Sequence, residues 1–145
     1  MGARHRARQA ALQVLFALDM NPGQNPGALL SRAREELGGE VDEEYAGALV
    51  QGVREHQEAL DAVISEASRR WRVERMGRVD RNVLRLAAYE LMFLPDTPAP
   101  VILDEAVDLA REFGTEDSPR FVNGLLDRIA RQRRPGEVRG ARGPS

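Results

Sequence analysis

The sequence predicts an all-α fold of six or seven helices, packed as one bundle or as two smaller bundles side by side. Apolar residues recur with helical periodicity along almost all of the 145-residue chain, and no window alternates apolar and polar residues for long enough to predict a strand. Only 5% of the residues are aromatic, which favours helices filled with Leu, Ala and Val over a β-sandwich.

The N-terminal half predicts helices that are separated by glycine and proline. The turn after the first helix reads "NPGQNPG", a composition typical of turns, and Gly38 and Gly39 end the second helix. Asp42 caps the next segment, which is either one long helix or two helices with a bend. The predicted ranges are 3–20, 27–37 and 42–70, and the first helix carries an apolar stripe of Ala7, Ala11, Val14, Leu15 and Leu18.

The C-terminal half predicts three more helices. The first of them stops at "PDTPAP" and the second ends at Gly114, since proline cannot continue a helix and glycine favours its end. The predicted ranges are 79–94, 100–113 and 118–133.

A chain of this length is enough for one domain with a proper core. We predict a single helical domain over residues 1–134, with subdomains of about 1–70 and 71–134. The remaining segment, 135–145, is rich in Arg, Gly and Pro and is predicted to be a disordered tail.

The composition excludes several classes of protein. There are no cysteines, which excludes disulfides and thiol chemistry and favours a reducing compartment. No apolar segment follows the basic N-terminus as it would in a signal peptide, and none approaches the length of a membrane span. These features predict a cytoplasmic protein without a membrane association.

The sequence also lacks the usual signatures of an active site. It contains no GxGxxG, GxxxxGK[ST] or GxSxG motif, and helix capping explains the acidic run at 42–44. His56 lies between carboxylates in "REHQE", a pattern more typical of a solvated helix face than of a metal site. The sequence therefore predicts a protein that is not an enzyme and has no metal or other cofactor.

Arginine accounts for all 21 basic residues, and it is unevenly distributed although the formal net charge is only −2. Arg4, Arg6 and Arg8 stand near one end without an acidic neighbour, and a second group begins at Arg128. Codon bias is sufficient to explain the lack of lysine. A functional explanation is that arginine stacks on bases and binds phosphates better than lysine. A local basic patch is compatible with the mildly acidic total.

The stretch "EDSPRFVNGLLDRI" at 116–129 places a glycine inside a predicted helix, where it costs about 1 kcal/mol relative to alanine. Ser118 is predicted to cap this helix. Phe121 lies at the edge of the apolar arc, bordered by Arg120 and Gly124. The bare backbone beside Phe121 is suited to the close approach of another helix or of a flat ligand.

Arginines also lie beside the apolar faces of two other predicted helices. Proteins bind single-stranded RNA with this combination, because phosphates meet arginine and splayed bases stack on aromatic rings. Solvated arginine faces in any helical protein give a similar pattern, so the pattern alone makes RNA binding a hypothesis. The residues are Arg4, Arg8, Leu12 and Phe16 at intervals of four, and Arg78, Arg81 and Arg85 on a predicted outer face.

Three segments of the chain resemble the NusB family of bacterial transcription antitermination factors. They are "RHRARQAALQVLFALD" near the start, "VDRNVLRLAAYEL" at 79–91 and "ILDEAVDLAREFGTEDSPRFVNGLLDRI" at 102–129. The resemblance implies an all-helical fold of two small bundles. It also implies that the protein binds the boxA element of nascent RNA together with NusE, a small-subunit ribosomal protein. In that family the complex makes RNA polymerase resist premature termination, chiefly in ribosomal RNA operons, and some members form homodimers.

The resemblance implies roles for individual residues. The arginine-rich N-terminus is expected to meet RNA phosphates, and Phe16 falls where the family has an aromatic residue near the RNA. Asp80 falls at a position expected in the NusE interface. Asn123 either contacts RNA or holds an adjacent loop through its amide. The full set implied to bind RNA is Arg4, Arg6, Arg8, Phe16, Arg85, Asp117, Ser118, Arg120, Phe121 and Asn123.

This chain departs from the family pattern at three positions. Arg120 replaces the commoner lysine, which preserves a phosphate contact, while Pro119 stiffens the preceding turn and Asp104 stands where many members have asparagine. Two other functions stay open from the sequence: the RNA-binding domain of a ribosomal RNA methyltransferase, which requires a further catalytic domain, and a helical adaptor that binds only protein. The basic tail is expected to add non-specific RNA affinity.

Overall fold

The computed structural model describes residues 2–69 and 71–137 and confirms the all-α fold. Within these ranges the chain forms six α-helices and a 3₁₀ turn at Val73–Arg75, and no strand. The helices are α1 (Ala3–Met20), α2 (Pro26–Leu37), α3 (Glu43–Ser68), α4 (Arg78–Phe93), α5 (Ala99–Phe113) and α6 (Ser118–Arg133).

The chain forms two compact units, which divide between Glu55 and His56. His56 has non-helical torsion angles (φ −113°, ψ 15°) and interrupts α3, so the predicted segment contains one helical run, Glu43–Ser68, with a break in its middle. The break places residues 56–69 in the second unit, whereas the sequence predicts a subdomain boundary near residue 70.

Small side chains build a core cluster in the first unit. It contains alanines from all three helices of that unit, and half-buried larger side chains pack against it. Alanine at these contacts lets the helices approach closely, since interaxial distance depends on the side chains between them. The alanines are Ala7, Ala10, Ala33 and Ala46, and the residues packed against them are Leu30, Leu37, Val41 and Tyr45.

In the second unit α4, α5 and α6 pack against one another. Large aliphatic side chains such as Leu84, Ile102, Leu126 and Ile129 are fully buried. Each contributes about 1.5–3 kcal/mol relative to exposure in water, so this unit has a conventional aliphatic core.

A buried arginine just beyond α6 holds the end of α4. Arg134 donates from Nε to the main-chain oxygen of Leu91 (3.0 Å) and from Nη2 to those of Glu90 (3.1 Å) and Leu94 (2.9 Å). Its Nη1 donates to the oxygen of Thr97 (2.8 Å) in the following turn. Carbonyls at the end of a helix lack full intrahelical pairing. Arg134 donates to three of them, of which those of Glu90 and Leu94 also accept from main-chain nitrogens.

Glu137 extends this arrangement to the start of α5. Its Oε1 accepts from the main-chain nitrogen of Ala99 (2.9 Å) and from Nη1 of Arg134 (3.0 Å). Its own nitrogen donates to the oxygen of Arg134 (3.0 Å), which closes a turn at 135–137. The predicted disorder therefore does not hold for these three residues, and the rest of the predicted tail, 138–145, lies outside the described residues.

Candidate nucleic-acid interface

Arg4 lies at the start of α1 with 56% of its side chain exposed. Its guanidinium carbon lies 4.1 Å from the centroid of the Tyr45 ring, which is a cation–π contact. Its Nη2 lies 3.9 Å from Oδ2 of Asp42, a long and exposed ion pair of the kind that contributes little free energy. Arg4 is therefore supported by a ring and open to solvent, as the predicted phosphate contact requires.

Arg6 is half-buried against the link between α2 and α3. Its Nε donates to the main-chain oxygen of Glu40. A Cβ on Gly39 would lie 3.1 Å from that Nε, and Gly39 has a φ of 65°. Glycine is needed here both for the left-handed backbone and for the approach of Arg6, so Arg6 ties α1 to the link while part of its surface stays accessible.

Arg8 is buried, with only 4% of its surface exposed. Its Nη2 donates to the hydroxyl oxygen of Tyr45 over 3.5 Å, and its guanidinium carbon lies 5.4 Å from the ring centroid. The sequence predicts Arg8 on an accessible flank of α1, and that placement is wrong because this part of the flank is covered. The structure therefore does not support Arg8 as a surface contact for phosphate.

Phe16 is half-buried on α1, which agrees with its predicted position on the flank of the apolar stripe. A half-buried ring keeps some surface for stacking. Its contact with RNA stays a prediction.

The start of α6 differs from the predicted cap. Asp117 is the N-cap residue and is exposed, and its carboxylate makes no capping hydrogen bond within the described chain. Ser118 is only 1% exposed, and its Oγ accepts from the main-chain nitrogen of Thr115 (2.9 Å). A Cβ on Gly114 would collide with the Ser118 side chain. Ser118 therefore shapes the loop before the helix, and its predicted roles as cap and as RNA contact do not fit its burial.

Four residues at the start of α6, Arg120, Phe121, Asn123 and Gly124, form what we call the α6 face. Arg120 and Asn123 are exposed, and their side chains make no hydrogen bond or ion pair with residues 2–69 or 71–137. Phe121 is half-buried, and a Cβ on the exposed Gly124 would meet nothing within 4 Å. No packing in the described chain requires glycine there. The Asn123 amide holds no described loop, and its contact with RNA stays a prediction.

A groove of about 560 Å³ lies beside the α6 face. Arg120 and Asn123 line its α6 side, and Asp104, Asp108 and Arg111 line its α5 side. Arg111 donates to Asp108 (3.0 Å) on the surface. This mixture offers donors for phosphate oxygens and acceptors for the amino groups of bases.

Arg85 is buried, with 6% of its surface exposed. It forms a bidentate ion pair with Asp61 of α3, from Nε to Oδ1 (2.8 Å) and from Nη2 to Oδ2 (2.9 Å). Its predicted place on the outer face of α4 is wrong because this carboxylate draws the guanidinium inward. Of its neighbours on that predicted face, Arg78 is exposed and Arg81 is half-buried. Arg85 therefore links α3 to α4 within the second unit.

Asp80 is half-buried in the first turn of α4. A carboxylate at this position stabilises the positive end of the helix dipole. Its partial exposure leaves surface for a partner, and its place in a NusE interface stays a prediction.

Tyr45 is the residue of this interface that sequence reasoning missed. It contacts Arg4 and Arg8 of α1, but it lies at the start of α3, so that the whole of α2 separates it from them in the sequence. No periodicity connects residues so far apart. The one local signal is an aromatic ring in the first turn of a helix that otherwise begins with acidic residues.

No group of three or more His, Asp or Glu side chains in the described ranges could hold a metal ion. The His56 ring instead stacks on Phe93, with centroids 4.2 Å apart. None of the described helices has the length and apolar character needed to cross a membrane.

The sequence matches known proteins along nearly its whole length. The family model of the NusB family matches residues 5–131. The chain is 52% identical to the transcription antitermination protein NusB of Sorangium cellulosum over 130 residues, which cover 90% of this chain and 93% of the relative. It is 45% identical to the protein of that name from Geobacter sulfurreducens over 131 residues, which cover 90% and 95% of the two chains.

Solved structures share the fold. NusB of T. maritima superposes with a TM-score of 0.82 at 37% identity, covering 95% of this chain and 98% of the other. A chain from the crystal structure of antitermination factors NusB and NusE in complex with dsRNA superposes with a TM-score of 0.79 at 34% identity, covering 90% and 97%. The similarity therefore extends over residues of both units.

Proposed function

This chain belongs to the NusB family, and we propose that it is a transcription antitermination factor that binds boxA RNA together with NusE. Relatives with this name match over nearly their full length at up to 52% identity, which favours this function over that of a methyltransferase domain. The solved complex of NusB, NusE and dsRNA supports the two partners. The assembly acts on RNA polymerase to prevent premature termination in ribosomal RNA operons, by binding and without catalysis. A cytoplasmic location follows, since bacterial RNA is made there.

The α6 face is the observation that carries the proposal. Arg120 and Asn123 project polar groups that nothing in the described chain satisfies. Gly124 lowers helix stability by about 1 kcal/mol relative to alanine, without a packing reason inside the described chain. A single-stranded RNA uses each feature, because its phosphates accept from arginine, a base stacks on the Phe121 ring and another base edge pairs with an amide.

The N-terminal arginines form a second contact region, in the first unit. Arg4 and Arg6 keep exposed surface, and each phosphate contact adds affinity that weakens as salt rises. Asp117 is exposed at the start of α6, where its carboxylate is suited to accept from a base amino group. We place Asp80 in the NusE interface, and its partial exposure on α4 supports this assignment.

The test is a fluorescence-anisotropy titration of labelled boxA RNA and a scrambled RNA of equal length, at two salt concentrations, with and without NusE. We expect preferential binding of boxA that tightens when NusE is added. Equal, salt-sensitive binding of both RNAs that NusE does not change would overturn the proposal and leave only a basic surface. Binding of NusE without any RNA affinity would favour the protein adaptor.

Arg120→Ala provides the matched variant of this experiment, with Arg133→Ala as its control. Both arginines are exposed on α6, so both substitutions remove one surface charge from the same helix. We expect Arg120→Ala to weaken boxA binding and to reduce the salt slope by about 0.7, the value for one phosphate contact on a single strand. Equal effects of the two substitutions would show that only net charge matters.

A further inference from the structure

We propose that Tyr45 is a positioning residue for RNA binding, because its ring holds the Arg4 guanidinium ready for a phosphate. The inference rests on the proposed function and adds a residue from the start of α3 to the N-terminal contact region. In this proposal Tyr45 itself does not contact a phosphate. It acts through the arginine that lies over it.

Tyr45 is held from several sides. Its main-chain nitrogen donates to Oδ1 of Asp42 (3.0 Å), and its half-buried side chain packs against the alanine cluster of the first unit. Its hydroxyl accepts from Nη2 of Arg8 over 3.5 Å. The ring is therefore a fixed support, while the Arg4 side chain above it stays 56% exposed.

A ring is a suitable support for an arginine that must bind phosphate. The guanidinium is planar and all of its N–H groups lie near that plane. The Arg4 guanidinium carbon lies over the Tyr45 ring, 4.1 Å from its centroid, and a ring takes up fewer of the N–H donors than a carboxylate partner would. The stack thus restricts the arginine before RNA arrives without competing for its donors.

Asp42 is the only carboxylate paired with Arg4 in the described chain, and it does not block this role. The separation of 3.9 Å between Nη2 of Arg4 and Oδ2 of Asp42 is long for an ion pair, and both side chains are accessible. A phosphate can replace such a pair at little free-energy cost. Asp42 also has a separate function, since its Oδ1 caps α3.

The experiment measures boxA affinity at several salt concentrations for the wild type, Tyr45→Phe, Tyr45→Leu, Arg4→Ala and the double variant Arg4→Ala/Tyr45→Leu. Tyr45→Phe keeps the ring under Arg4 and should bind within about twofold of the wild type. Tyr45→Leu removes the ring and should weaken binding by about threefold to fivefold. The salt slope should fall by about 0.7 in Arg4→Ala, which removes the charge, and should stay close to that of the wild type in Tyr45→Leu, which keeps it.

The double variant separates positioning from packing. If Tyr45 acts through Arg4, Tyr45→Leu changes affinity less than about twofold in the Arg4→Ala background. A full effect of Tyr45→Leu in that background, or a salt slope of Arg4→Ala equal to that of the wild type, would overturn the inference. Tyr89→Leu is the matched control, because Tyr89 is a half-buried tyrosine of the second unit whose ring stacks on those of His56 and Phe93.

Arg4→Lys tests the stack without altering Tyr45, in case Tyr45→Leu unfolds the first unit. Lysine keeps the charge but lacks the planar group, so we expect an affinity loss close to that of Tyr45→Leu. Wild-type affinity for Arg4→Lys would overturn the inference. If the wild type itself shows no preference for boxA, the proposed function fails and the inference fails with it; a preference that survives in all the Tyr45 and Arg4 variants removes the inference alone.

Discussion

At the start of α6 Arg120 is exposed and makes no ion pair within the described chain, whereas just beyond its end Arg134 is buried and donates to four main-chain carbonyls. The same residue type thus has two different environments at the two ends of one helix. Arg134 has its charge and donors satisfied inside the protein, so the fold depends on it. Arg120 contributes no such contact, so its donors are available to a ligand.

The difference shows that hydrogen-bond satisfaction, and not residue type, separates the arginines that stabilise this chain from those whose donors remain available for binding. A buried charge is tolerated only when its hydrogen bonds are complete. An exposed arginine without a partner contributes little to stability. Substitutions at the two ends of α6 should therefore change different measured quantities.

The largest expected effect is at Arg134. Replacing it with alanine removes hydrogen bonds to four main-chain carbonyls and a buried, fully paired side chain, and we expect a loss of about 3 kcal/mol in the free energy of unfolding. Urea denaturation followed by circular dichroism measures this loss. The neighbouring Arg133 is exposed, and Arg133→Ala should change the unfolding free energy by less than about 0.5 kcal/mol. Similar losses in both variants would contradict the contrast between them.

The next effect is at the other end of the helix and concerns binding. Phe121→Ala should lower boxA affinity at least tenfold, about 1.4 kcal/mol, since it removes a ring on which a base stacks. Anisotropy titration with the folded variant measures this change. Phe93→Ala is the control, because Phe93 is also a partly exposed ring of the second unit. A loss of less than twofold for Phe121→Ala would remove the stacking role.

Local signals in the sequence predict the helices, while long-range pairs decide the site. Asp42 is predicted as a cap from its place before two glutamates, and its carboxylate accepts from the backbone of the first turn. Arg8, Arg85 and Arg134 all face partners that are distant in sequence. Helical periodicity reports which flank a residue occupies but not what covers that flank, so burial of these arginines was not predictable.

The α6 face was more predictable because its signals are local. Phe121 at the edge of an apolar arc, with Arg120 and Gly124 beside it, follows from the angle of 100° per helical residue. The structure adds that the Asn123 side chain makes no hydrogen bond with described residues. It also removes Ser118, whose burial depends on the shape of a loop that no periodic pattern describes.

A smaller effect is expected at Gly124, where stability and binding should change in opposite directions. Gly124→Ala should raise the free energy of unfolding by about 1 kcal/mol, since an added Cβ meets no atom within 4 Å. The same methyl group should weaken boxA binding by about threefold if RNA approaches the bare backbone. Denaturation and anisotropy on one preparation test both. A stabilised variant with unchanged affinity would show that RNA does not reach this part of the α6 face.

The smallest effect is expected at Glu137 and depends on pH. The hydrogen bond from the Ala99 main-chain N–H lowers the pKa of Glu137 below its ordinary value of 4.5, Arg134 lowers it further, and partial burial opposes both. A depressed pKa stabilises the folded state above the ordinary value, and that stabilisation is lost as pH falls through the lower, folded value.

Glu137→Gln keeps an oxygen that can accept from Ala99 but removes the charge beside Arg134. We therefore expect the variant to be slightly less stable than the wild type near neutral pH, with the difference shrinking as pH falls below 4.5. The effect should be modest because the Glu137 side chain is 40% exposed and solvent screens its charge. Urea midpoints of both proteins across this pH range measure the effect. A difference that is independent of pH would show that the hydrogen bond to Ala99, rather than the charge beside Arg134, holds the turn at 135–137.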